Sequence, residues 1–66
     1  MILVLEGFNG IEGDLRNEFT VTEKATAMGI AELWNVKGWK PVLYSKTYDG
    51  RFHTIYNYKS RQRKAA

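Results

Sequence analysis

Few residues in this chain could carry acid–base, nucleophilic or metal chemistry. His53 is the only histidine, and there is no cysteine. A general base needs a second group to orient it. The nearest acid in sequence, Asp49, precedes Gly50 and is accounted for by a turn, while His53 falls among strand residues opposite Lys46. Glu12 and Asp14 share one loop, but two acids fall short of the ligand number that calcium takes. Glu23 belongs to a helix start and Glu32 to a helix surface. Gly7, Gly10 and Gly13 recur every third residue, yet they lead into a strand and not a helix. They therefore read as turn glycines, not as a phosphate loop, and no Walker-type lysine accompanies them. These residues point to a non-catalytic protein that holds no cofactor and no metal.

Binding chemistry is better supplied. Tyr44, Lys46, Tyr48, Arg51 and His53 are interleaved along one segment, and Lys59, Arg61, Arg63 and Lys64 continue the positive charge beyond it. Aromatic rings are stacking platforms for bases, and cations between them follow phosphates. A two-stranded ribbon can also enter a DNA groove. Tyrosine is equally a common strand residue, and lysine on an edge strand discourages aggregation. The charge is unevenly spread along the chain. Residues 1–33 hold Arg16 and Lys24 against six acids, a balance of −4. Residues 34–66 hold eight cations against Asp49, a balance of +7, which together gives the formal net charge of +3. A split of this kind suits an acidic partner for the second half, or mutual neutralisation of the halves within the fold.

The elements that must position these residues follow from pattern. With 66 residues the chain is one domain with a small core. A composition of 44% hydrophobic and 26% charged residues is that of a globular protein. Without disulfides, stability rests on packing, and a homodimer would add buried area. Ile2-Leu3-Val4-Leu5-Glu6-Gly7-Phe8 is almost unbroken apolar sequence, as in a central strand. It is too short for a membrane span or a signal-peptide core. A loop or bulged hairpin follows over residues 9–14. Residues 15–21 then alternate, with Leu15, Phe19 and Val21 on one side of a strand. Residues 23–37 form a helix, capped by Thr22 or by a Thr20/Glu23 capping box. Ala27, Ile30, Ala31 and Trp34 make its apolar stripe. Gly38 ends it and Pro41 prevents its resumption.

The segment from Gly38 to Lys59 reads as a hairpin turning at Asp49-Gly50. A two-residue turn there pairs Tyr48 with Arg51, Lys46 with His53 and Leu43 with Tyr56. That register puts Leu43, Ser45, Thr47, Phe52, Thr54, Tyr56 and Tyr58 on the core face. Val42, Tyr44, Lys46, Tyr48, Arg51, His53, Ile55 and Asn57 take the outer face, and a slip of one residue would exchange the two. The predicted fold is α+β: a β-β-α-β-β two-layer sandwich with one helix on a mainly antiparallel four-stranded sheet in the order 2-1-3-4. Residues 1–60 form the domain and residues 61–66 a basic, flexible tail.

The outline of a strand, an alanine-rich helix, a Gly38-Trp39 junction and a hairpin is similar to small regulators encoded by bacteriophages. That resemblance implies a macromolecular partner in a bacterial cell, and no residue motif extends it. The function expected is nucleic-acid binding, to DNA or RNA, through Tyr44, Lys46, Tyr48, Arg51, His53, Lys59, Arg61, Arg63 and Lys64. The alternative is a regulator or inhibitor that applies the same residues to an acidic surface of a host protein. Either reading places the chain in the cytoplasm, away from membranes.

Overall fold

A computed structural model describes residues 1–59. Four strands, β1 (Ile2–Asn9), β2 (Gly13–Phe19), β3 (Val42–Lys46) and β4 (Phe52–Asn57), form one sheet in the order β2-β1-β3-β4. Every neighbouring pair is antiparallel. One helix, α1 (Lys24–Val36), lies on a single face of the sheet, behind a turn of 3-10 helix at Val21–Glu23. The architecture is the expected α+β sandwich, and the strand order is the expected one. The reason is the apolar run in β1: Leu3, Val4 and Leu5 are all buried, so this strand needs neighbours on both edges, whose side chains also enclose Val4 on the face away from the helix.

The core lies between α1 and the odd-numbered residues of β1. Leu3 and Leu5 meet Ala27, Ala31 and Trp34 from the helix, with Leu43 from β3 and Tyr56 from β4. Leu15 and Phe19 of β2 close one side. The small residues of the helix stripe let it approach the sheet, and Trp34 sits directly above Gly7. A Cβ on Gly7 would stand 2.9 Å from Trp34 Cε3 and 3.0 Å from the Trp39 carbonyl oxygen. No side chain fits there, which is why a glycine interrupts an otherwise apolar strand.

Local signals fix the ends of α1. Of the two caps considered, the Thr20/Glu23 box is the one formed: Thr20 N–H donates to Glu23 Oε1 at 2.9 Å, ahead of the 3-10 turn. At the other end Trp39 N–H donates to the Trp34 carbonyl at 2.9 Å and Gly38 N–H to the Asn35 carbonyl at 3.0 Å. This paired arrangement is a Schellman motif, and the hydrophobic contact that accompanies such motifs is the Trp34–Trp39 ring pair, 5.9 Å between centroids. The β1–β2 connection is closed by the Asn9 side chain, whose Oδ1 accepts from Ile11 N–H at 2.7 Å and Glu12 N–H at 3.2 Å.

The second hairpin departs from the sequence expectation. Its loop holds three residues, not two: Gly50 N–H donates to the Thr47 carbonyl at 3.1 Å, and Thr47 N–H to the Arg51 carbonyl at 3.0 Å. Gly50 stands at φ +85°, the left-handed position of a type I turn with a glycine bulge. The register is therefore Lys46↔Phe52, Ser45↔His53 and Tyr44↔Thr54. A bulge at Ile55 then absorbs one residue and restores Leu43↔Tyr56, the pairing expected from the core pattern. Among the described residues, no helix is long and apolar enough to cross a membrane.

Candidate functional site

The helix α1 covers one face of the sheet, and among the described residues nothing covers the other, the open face. Antiparallel alternation places Ile2, Val4, Glu6 and Phe8 of β1 on the open face, with Asp14, Arg16 and Glu18 of β2 beside them. From β3 come Val42, Tyr44 and Lys46, and from β4 Phe52, Thr54 and Asn57. The face divides by charge. On the β1–β2 side Arg16 is held between two acids, with Nε 3.8 Å from Glu6 and a shorter contact from its Nη1 to Glu18. Glu6, Asp14 and Glu18 outnumber Arg16, so this half is acidic. The β3–β4 half carries Lys46 and aromatic rings.

Those rings form a pair. Tyr44 and Phe52 meet edge to face, 5.3 Å between centroids with planes at 75°. The Lys46 ammonium lies 5.9 Å from the Phe52 ring centroid. Phe52 is 64% exposed and Tyr48, at the tip of the turn, is fully exposed. Tyr44 is half-buried. Its burial first, and the negative charge of neighbouring Glu6 second, raise its phenol above the ordinary value of 10.0, so it is a neutral donor at the seam between the acidic and basic halves. Towards the turn the same face opens into a groove of about 290 Å³, bounded by Ile2, Arg16 and Glu18 on one side and Lys46 and Tyr48 on the other.

The turn presents Arg51 with its side chain 85% exposed and its Nε 3.3 Å from Asp49 Oδ2. The Asp49 carboxyl lies below its ordinary 3.8. The Thr47 hydroxyl, which donates to it, is the main cause, and the backbone N–H groups of Arg51 and Asp49 add to it. This lone acid of the second half therefore stays ionised, and it engages the guanidinium next to it.

Not all of the residues expected to act together do so. Tyr44 and Lys46 share the open face, and Tyr48 stands at its rim. Arg51 opposes Thr47 and adjoins open-face Phe52, so alternation carries it to the helix side, away from the expected set. His53 leaves the open face as well. In the observed register it opposes Ser45 on the helix side, beside a cleft of about 390 Å³ that also involves Lys24 and Val21. Its place on the open face is taken by Phe52, which the two-residue turn had assigned to the core, and Thr54 moves with it. Lys59 lies at the far end of β4, beyond the Tyr58 N–H that donates to the Pro41 carbonyl at 3.1 Å. Six residues of β4 separate it from the turn, roughly 17 Å of strand. Arg61, Arg63 and Lys64 lie outside the described residues.

Pattern reading also passed over Arg16, Glu6 and Glu18. The Arg16–Glu6 contact is made across strands and only the β1–β2 register reveals it, while Arg16 and Glu18 sit two residues apart on one face of β2. The signal available was the wet side of the alternating β2 segment. Among the described residues no group of three His, Asp or Glu side chains gathers as a metal site would require. No protein-family model, curated protein or solved structure matches the chain.

Proposed function

We propose that this protein is a small non-catalytic module that binds nucleic acid on the β3–β4 half of the open sheet face. The observation that carries the reading is the exposed Phe52 ring, paired with Tyr44 and accompanied by the Lys46 ammonium, on a sheet face that no helix covers among the described residues. A flat aromatic platform beside a cation suits unstacked bases better than a duplex, whose bases are already stacked on each other. Tyr48, fully exposed, extends the surface at the turn. The acidic half bounds it on the other side, where Glu6, Asp14 and Glu18 repel phosphates and confine a strand to β3 and β4. His53 is not part of this surface.

Fluorescence anisotropy with labelled single- and double-stranded oligonucleotides, each at low and near-physiological salt, tests the reading. Submicromolar binding that persists at the higher salt, with preference for single strands, is the expected result. Binding that vanishes with salt and ignores strandedness would reduce the basic half to generic charge.

A second reading, a regulator that docks on a host protein, is favoured by the edge position of β4. Its outer backbone groups have no neighbouring strand among the described residues and could extend a partner's sheet. A stoichiometric protein recovered from bacterial lysate after nuclease treatment would favour this alternative.

A further inference from the structure

The hairpin surface leaves unused the positive charge at the opposite end of the sheet. There the chain passes from α1 into β3 through Lys37-Gly38-Trp39-Lys40-Pro41. This connection is pinned on three sides. Trp39 N–H donates to the Trp34 carbonyl at 2.9 Å, the Trp39 carbonyl accepts from Phe8 N–H at 2.6 Å, and the Pro41 carbonyl accepts from Tyr58 N–H at 3.1 Å. Between these anchors Lys40 is held at φ 55°, the only residue other than glycine with positive φ among those described. A side chain in that region crowds its own backbone, and a following proline disfavours helical backbone further. Glycine would relieve the strain, so the lysine is a local cost to the fold. Backbone strain that persists in a well-anchored segment is a pointer to function.

Other cations stand near Lys40 in the chain and at the same end of the sheet. Lys37 is exposed, and its ammonium sits 4.7 Å from the Trp39 ring centroid, which steadies a side chain that would otherwise sample many rotamers. Lys59 emerges at the same end, one residue past the Tyr58–Pro41 hydrogen bond. The salt bridges among the described residues are made by Arg16 and Arg51, none by these lysines. We propose that Lys37 and Lys40, joined by Lys59, form a second contact cluster that holds the sugar–phosphate backbone of a single strand whose bases lie on Tyr44 and Phe52. The proposal rests on the nucleic-acid reading above and extends its site along the whole hairpin. With roughly 17 Å of β4 between the clusters, the strand must be at least about four nucleotides long, the short end of known single-strand site sizes.

The test is salt-dependent anisotropy with labelled oligothymidylate, read beside urea unfolding, for Lys40→Gly, Lys40→Arg and Lys37→Ala. Lys40→Gly should raise the urea midpoint and weaken binding several-fold. It should also lower the salt slope by about 0.7, the value for one phosphate contact on a single strand. Lys40→Arg should bind like the wild type, and Lys37→Ala should lose affinity without a gain in stability. A Lys40→Gly protein that is stabilised yet binds with wild-type affinity and slope would overturn the second cluster. If Phe52→Ala weakens binding while the Lys37 and Lys40 variants do not, the cluster fails and the hairpin surface stands. If the wild type binds no oligonucleotide, both fail.

Discussion

Replacing Gly7 by alanine probes the contact on which the two layers depend. The new methyl would stand 2.9 Å from Trp34 Cε3, 3.1 Å from Trp34 Cζ3 and 3.0 Å from the Trp39 carbonyl oxygen. None of these can retreat cheaply. Trp34 is buried and packs against Trp39, and the Trp39 carbonyl is tied to Phe8 N–H at 2.6 Å. Overpacking of this kind costs about 1–3 kcal/mol. Alanine recovers about 0.5–1 kcal/mol of the backbone penalty that glycine carries in a strand. A net loss of about 1–2 kcal/mol follows, a large share of the roughly 3–5 kcal/mol that a core this small supplies. With a urea dependence near 1 kcal/mol/M for so short a chain, the unfolding midpoint should fall by about 1–2 M. Equilibrium unfolding followed by tryptophan fluorescence reads it, since Trp34 and Trp39 are the only tryptophans and both lie at the contact. The same change in a Trp34→Leu background should cost less, because the ring atoms it strikes are gone and only the contact with the Trp39 carbonyl remains. An equal penalty in both backgrounds, or none in either, would refute the packing argument.

Two further predictions concern the β3–β4 turn. Gly50→Ala places a side chain at φ +85° and should cost about 1–2 kcal/mol in urea unfolding, with Gly50→Asn costing less; equal stability of all three proteins would contradict a left-handed backbone at this position. Thr47→Val removes the hydroxyl that donates to the Asp49 carboxylate, so the Asp49 pKa measured by NMR should rise towards 3.8. The sign for stability follows: with its folded value depressed, Asp49 adds stability that is complete above pH 3.8 and is lost as pH falls below 3.8 through the lower folded value, and the Thr47→Val protein should lack this part of the acid dependence.

Much of the architecture was legible in the sequence because its signals are strong and mutually consistent. The apolar run of β1 demands the sheet centre. Ala27, Ala31 and Trp34 mark the buried helix face, and Gly38 followed by Trp39 marks its end. The register of the second hairpin was not legible, and the reason is specific. Asp49-Gly50 suits a two-residue turn with both residues at positive φ, and it equally suits a type I turn with glycine as the following bulge. The two differ by one residue, and one residue exchanges faces. The compensating bulge at Ile55 kept Leu43 opposite Tyr56 in both cases, so the core pattern could not betray the difference. The error exchanged faces between the turn and the bulge: Arg51, His53 and Ile55 left the outer face, and Phe52 and Thr54 entered it. Lys40 was invisible as a strained residue because its backbone is set by hydrogen bonds to β1 and to the end of β4, both remote in sequence.

The central claim is that the β3–β4 half of the open face, and not the helix side, receives a nucleic-acid strand. NMR titration of the labelled protein with a single-stranded oligonucleotide tests it most directly, because side-chain resonances separate the two faces of one strand. The ring signals of Phe52 and Tyr44 and the Lys46 side chain should shift together and saturably. The His53 imidazole and the methyls of Ala27 and Ala31 should stay in place. Shifts at His53 and the helix with Phe52 unmoved would contradict it.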